Sequence, residues 1–292
     1  MPMTWEETIQ YIRTKPEYRC LVEKAYLEED LPLNVERFLK SEEFRQTLAI
    51  LKKYQPNAIN ILDIGAGNGV SSIAFALSGY KVTAVEPDKS ETVGAGAIRK
   101  LKEHYQLSNV EVFEAFAEEL PFPEETFDIV YARQCMHHAR DLERFVAEAS
   151  RVLKQGGVFF TARDHVVLDE QDKKWFLDTH PLQQFYGGEN AFTAEEYKNA
   201  MQKAGLQIVQ EIRHFDSVLN YYPSTKDEIE NYKEKQIKLR EAHLIRKIGF
   251  LGRLSFFKKL YHLYLDKKVG EILPLYERNI PGRMYSYLCI KP

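Results

Sequence analysis

Ile59-Asn60-Ile61-Leu62-Asp63-Ile64-Gly65-Ala66-Gly67-Asn68-Gly69 is the stretch whose reading decides the fold. A short apolar run ends in a cluster of glycines, and residues 70–77 resume at helical spacing. Glycines at a strand-to-helix bend remove Cβ atoms, so backbone approaches a ligand closely. The free N–H groups opening the helix suit a carboxylate or a phosphate. Alone, such a cluster is a common loop. Glu86 adds context: it closes a second strand, residues 81–85, about 20 residues beyond the glycines. A carboxylate there accepts hydrogen bonds from both hydroxyls of a ribose.

Outward from this bend, apolar strands alternate with helical segments. A third strand covers residues 110–113, a fourth 127–131, a fifth 158–161 and a sixth 206–209. Helices are expected over 91–105, 142–153 and 194–204. This rhythm implies βαβ units and a parallel sheet with helices on both faces. Residues up to Gln55 read as helices, with Ser41-Glu42-Glu43-Phe44 as a helix start, and Pro56 breaks the pattern. Residues 180–192, with Gly187-Gly188, read as a long loop able to close over a site, and 227–268 as charged helices. Residues 284–290 alternate as a last strand. The expected organisation is an N-terminal helical cap over 1–56, a core over 57–212 and 284–292, and a helical insertion or cap over 213–283.

The 292 residues suit one large α/β domain with elaborations. A hydrophobic share of 44% and a charged share of 28% argue for a packed core and against wholesale disorder. A formal charge of −3 gives no reason to expect DNA as a partner. Cys20, Cys135 and Cys289 are odd in number and too widely spaced for a Cys-x-x-Cys pair, which fits a reducing cytoplasm. Neither a signal peptide nor an apolar span is legible.

Asp63-x-Gly65-x-Gly67-x-Gly69 resembles motif I of the class I methyltransferases that use S-adenosyl-L-methionine. Ala117-Glu118-Glu119-Leu120-Pro121-Phe122 and Phe127-Asp128-Ile129-Val130 resemble a passage of their ubiquinone/menaquinone-methyltransferase-like (type 11) subgroup. Cys135-Met136-His137-His138 and Arg151-Val152-Leu153-Lys154-Gln155-Gly156-Gly157 are similar to two more of its motifs. The resemblance spans residues 59–163. It implies a Rossmann-like doubly wound seven-stranded sheet, with the terminal strand antiparallel between the fifth and sixth. It also implies S-adenosyl-L-methionine held by Asp63, Gly65, Ala66, Gly67, Gly69, Glu86, Phe116, Ala117, Glu118 and Arg133. One position departs: Phe116 stands where the family often has the Asp that binds adenine. That leaves the base to the Ala117 N–H, to stacking or to Glu118.

A sulfonium is already a strong electrophile, so the protein has mainly to hold an acceptor in line and exclude water. Acceptor contacts are expected beyond the strand ends, at His137 and His138 after strand four and at Asp164 and His165 after strand five. Asp164-His165 is the favoured pair for a base or for orientation. No His-x-x-x-His or similar spacing appears, so no metal is expected. The acceptor is expected to be a small molecule. A lipid-like or RNA acceptor, or a non-catalytic cofactor binder of the same fold, stays open. Residues 240–270 hold eight Lys/Arg against two acids, with apolar residues at helical spacing. This basic amphipathic segment is expected to pack as a cap; a membrane surface or an oligomer interface stays open.

Overall fold

The computed structural model describes residues 2–269, 277 and 279–292. Residues 270–276 and 278 of the expected 213–283 cap lie outside the described residues. Four helices come first: α1 (Trp5–Arg13), α2 (Arg19–Lys24), α3 (Leu31–Leu39) and α4 (Glu42–Tyr54). The α/β core follows as β1 (Asn60–Ile64), α5 (Val70–Leu77), β2 (Lys81–Val85), α6 (Ala95–His104), β3 (Val110–Phe113), β4 (Phe127–Arg133), α7 (Leu142–Val152) and β5 (Leu153–Val167). Then come α8 (Glu170–Thr179), α9 (Gln183–Tyr186), β6 (Phe192–Thr193), α10 (Ala194–Lys203) and β7 (Gln207–Ile212). The chain ends with α11 (Val218–Tyr221), α12 (Lys226–Ile248), α13 (Ser255–Val269) and β8 (Arg283–Ile290).

The sheet runs β3-β2-β1-β4-β5-β8-β7, with β6 paired to β5 at its end. β8 lies antiparallel between β5 and β7, as the resemblance implies. Side chains alternate across each strand. Leu62 and Ile64 of β1, Val130 and Ala132 of β4 and Phe159 of β5 join α7 and α10 on one face. Ile61, Ile129, Tyr131, Val158 and Phe160 face α5 and the N-terminal helices on the other.

The N-terminal segment divides in two. Phe38 of α3 and Phe44 of α4 are buried in the main core, stacked towards Phe75 of α5. Only α1 and α2 lie over the cavity described below, through Trp5, Leu21 and Ala25. The expected loop at 180–192 instead contains α9 and leads into β6, and α8 precedes it unforeseen. The basic segment departs from expectation too. Within α12, only Ile229 and Leu244 are buried. Of the segment's apolar stripe, Leu251 is 51% exposed, Leu254 42% and Tyr264 55%, so it packs little against the core among the described residues. The parts of the insertion that do line the cavity are its start, at Tyr221, Tyr222 and Ile229, and its end, at Ile280, Pro281 and Gly282.

Candidate functional site

The bend after β1 is fastened to the end of β2: the Gly65 and Ala66 N–H groups donate to the Val85 carbonyl at 2.8 and 3.1 Å. Gly65 has φ +63°, and a Cβ there would lie 2.0 Å from Cys135 Sγ. Gly67 has φ +55°, and a Cβ there would meet nothing within 4 Å. The first glycine is needed for packing; the second leaves backbone open to the cavity. Glu86 sits beside it, buried, accepting from Gly67 N at 2.7 Å and from Asp88 N at 2.9 Å. Burial pushes its carboxyl up to about 7. Each oxygen retains a lone pair for a further donor.

A cavity of about 930 Å³ opens along this bend. Gly65, Ala66, Gly67, Glu86, Phe116, Ala117, Glu118 and Arg133 all line it. Asp63 and Gly69 do not. Asp63 lies on the α5 face of β1, where its Oδ2 accepts from Ser71 Oγ at 2.7 Å and Ser72 Oγ at 2.6 Å. Gly69 is the N-cap of α5, packed on Ile98. Both shape the bend from behind. At the far end of the crevice, Phe116 is 49% exposed with the Arg140 guanidinium 4.5 Å above its ring. Glu118 accepts from Arg140 N at 2.9 Å. Two motif residues are scaffolding: Asp128 accepts from Asn60 N and Lys154 Nζ, and Arg151 donates to the Leu120 and Phe122 carbonyls.

Arg133 has a partner that the sequence reading missed. Alternation places it on the α4 side of β4, where its Nε and Nη2 meet the buried Glu43 at 2.5 and 3.2 Å. Arg163 Nη1 lies 3.7 Å from the same carboxylate. Its Nη1 donates to the Leu219 carbonyl at 2.7 Å. Burial pushes the Glu43 carboxyl up, and the two guanidinia pull it below its usual range. Two cations and one anion leave this wall net positive.

The catalytic candidates converge, but not as the expected pair. β5 carries a bulge between Thr161 and Asp164 opposite β8, with Arg163 at φ +63°. Ala162 and Arg163 therefore both face the α4 side, and the alternation beyond them is inverted. Asp164 turns away from the cavity and His165 turns into it. Asp164 instead serves His137, accepting from its backbone N at 3.1 Å and lying 3.1 Å from its Nδ1. Burial pushes Asp164 up to about 7. His165 Nδ1 faces the Gly282 carbonyl at 2.6 Å, and its ring packs 4.8 Å from His137. His138 lines the outer rim, its Nδ1 3.0 Å from the Gly188 carbonyl. The 180–192 segment covers this chamber, bringing His180, Leu182, Tyr186 and Glu189 to its wall. Met3 N donates to the Phe185 carbonyl and Trp5 stacks on Tyr186, tying the segment to α1.

No local ligand spacing is present, but separate segments converge. His137, His165 and Glu189 bring one ligand atom each within 4.8 Å of one another. They come from three separate segments, so no local spacing betrays them.

Residues 62–161 match the family described as a methyltransferase domain. An uncharacterized methyltransferase, YcgJ of Bacillus subtilis, is 37% identical over 114 residues, 38% of this chain and 44% of that protein. The aligned stretch thus spans less than half of that relative's length. A ubiquinone biosynthesis O-methyltransferase of Rhizobium leguminosarum is 28% identical over 60% of this chain and 69% of its own. The solved structure of a geranyl diphosphate methyltransferase in complex with SAM superposes with TM-score 0.57 at 14% identity, covering 91% of this chain and 92% of that one, and shares the fold. Among the described residues, no helix is long and apolar enough to cross a membrane.

Proposed function

We propose that this chain, whose residues 62–161 match a methyltransferase domain, binds S-adenosyl-L-methionine along the β1 bend and transfers its methyl group to a small-molecule acceptor. The observation that carries the reading is the continuity of one cavity, from the bare Gly67 backbone and Glu86 to the His137–His165 chamber. At about 930 Å³ it sits near the upper end of the usual range for ligand sites, about 300–1,000 Å³. The crevice fits the cofactor: Glu86 has lone pairs for the ribose hydroxyls, and Gly67 offers backbone without a side chain. Phe116 and Ala117 border the base, and the net positive Arg133–Glu43–Arg163 wall suits the carboxylate end.

The bound cofactor supplies an electrophilic methyl. The chain's own residues orient the acceptor, exclude water through α1 and the 180–192 segment, and fix the histidine rings. His137 is held by Asp164 and His165 by the Gly282 carbonyl.

Calorimetry with S-adenosyl-L-methionine, its demethylated product and NAD tests the reading; binding of NAD alone ends it. Glu86→Ala is expected to weaken cofactor binding by about 1–3 kcal/mol, through loss of charge-assisted hydrogen bonds. The wild-type affinity is also expected to depend on pH. Glu86 titrates near 7 in the free protein. Below that pH a proton must leave before the carboxylate can accept two ribose hydroxyls. Affinity should therefore be flat above pH 7 and fall by up to about tenfold per unit below it. A flat profile from pH 5 to 8 would detach Glu86 from the cofactor.

A second reading, a lipid-like acceptor taken from an anionic membrane surface, draws on the exposed stripe after α12. Phe250, Leu251, Phe256 and Leu260 are exposed beside Arg246, Lys247, Arg253 and Lys259. Apolar rings flanked by cations suit such a surface. The chain is expected to sediment with phosphatidylserine vesicles and not with phosphatidylcholine vesicles, and Phe250→Glu with Phe256→Glu to abolish it. Equal sedimentation of the wild type and the double variant removes this reading.

A further inference from the structure

His137, His165 and Glu189 meet at the inner end of the cavity with ligand atoms within 4.8 Å of one another. Each histidine has one nitrogen engaged by an acceptor: His137 Nδ1 lies 3.1 Å from Asp164, and His165 Nδ1 lies 2.6 Å from the Gly282 carbonyl. Those contacts leave both Nε2 atoms to bind in the cavity. Glu189 accepts from the Tyr186 hydroxyl through Oε1, while Oε2 is buried without a hydrogen-bond partner. His137 Nε2 stands 3.8 Å from that oxygen, too far for a hydrogen bond. The ligand-to-ligand spacing of a tetrahedral site with metal–N distances of about 2.0–2.1 Å is about 3.3 Å, so binding would draw these side chains closer together. His180 Nδ1, also buried and unpartnered, lies 3.5 Å from Glu189 Oε1.

We propose that His137 Nε2, His165 Nε2 and Glu189 Oε2 form a two-histidine, one-carboxylate site for a divalent first-row transition ion such as Zn²⁺ or Fe²⁺. Three observations converge on it. The donor set, two imidazoles and a carboxylate, is one such ions favour. The outer shell is built: a carboxylate holds one ring and a backbone carbonyl the other, the arrangement that orients metal-bound histidines. The carboxylate oxygen between them, on a side chain only 6% exposed, lacks any partner within the protein. His137, His165 and Glu189 all line the cavity, so an acceptor oxygen entering it would complete the shell. That last role rests on the methyl-transfer reading; the ion site does not.

The test is a titration of chelator-stripped protein with Co²⁺, read by its visible absorption, and then with Zn²⁺ in competition. One ion per chain is expected. Glu189→Gln and His165→Ala should each weaken it by roughly 100-fold, and Asp164→Asn, which acts through His137, by about 10–100-fold. Melting curves of the same samples establish folding; if His165→Ala unfolds, the near-isosteric Glu189→Gln carries the test. No binding to the folded wild type, or folded Glu189→Gln binding as tightly as wild type, overturns the site. Cofactor binding is measured on the same protein. Ion binding without cofactor binding upholds the site and sinks the methyl-transfer reading. Cofactor binding without ion binding does the reverse.

Discussion

Glu43→Ala is expected to destabilise the protein by about 3–5 kcal/mol, read by chemical denaturation at pH 7. Glu43 is fully buried, and both cations it serves, Arg133 and Arg163, are nearly so. Removing the carboxylate leaves two guanidinia near each other in the core without their shared partner, and the next acid coupled to Arg133, Asp63, is already engaged by Ser71 and Ser72. The Tyr26 and Phe38 rings, 5.5 and 5.3 Å from the Arg133 guanidinium, offer it only a weak substitute. The pH dependence follows from the depressed Glu43 value. A carboxyl lowered on folding stabilises above its ordinary value of 4.5, and that stability is lost as pH falls through the folded value. The stability gap between wild type and Glu43→Ala should therefore be constant near neutrality and shrink in acid. A variant as stable as wild type at pH 7 would show that the triad contributes nothing.

Gly65→Ala should be nearly as costly. The added Cβ would overlap Cys135 Sγ at 2.0 Å and Cys135 Cβ at 2.8 Å. Overpacking of this kind costs about 1–3 kcal/mol, and an L side chain in the left-handed region about 1–2 kcal/mol more. We expect a loss of about 2–5 kcal/mol in stability, with cofactor affinity falling at least about tenfold as the bend shifts. Cys135→Gly should relieve the overlap but not the backbone strain, so the double variant recovers part of the loss. Melting and calorimetry on the two single variants and the double variant check this. Gly65→Ala indistinguishable from wild type in both would mean the bend is not held where we describe it.

These two residues mark the boundary of what the sequence discloses. Gly65 was legible because strand, glycines and helix are contiguous, and local order is what periodicity reports. The same holds for Glu86, one strand away, and for the alternating terminal strand. Glu43 was legible only as part of a helix start. Its role depends on Arg133, which lies 90 residues away in sequence, and on which face of β4 that arginine occupies. Glu189 read as part of a loop, since its partners His137 and His165 sit on other segments. Asp164 and His165 were read as neighbours acting together because adjacency in sequence suggests adjacency in space. In a strand it means opposite faces. The basic stripe after Arg240 has helical spacing, but spacing alone cannot tell a face turned to a core from one turned to solvent. That distinction needs the partner surface.

The irregularity at Arg163 sets the parity of everything downstream on β5. Flattening the bulge without removing a residue would return the strand to strict two-step counting. Asp164 would then project into the ligand chamber, and His165 would be driven among the aliphatic side chains on the far side. His137 would lose its anchor and gain a carboxylate where an imidazole had stood. The chemistry of the inner chamber thus hangs on a count of odd and even, one that a flattened bulge would rewrite and that excision of the single extra residue would leave intact.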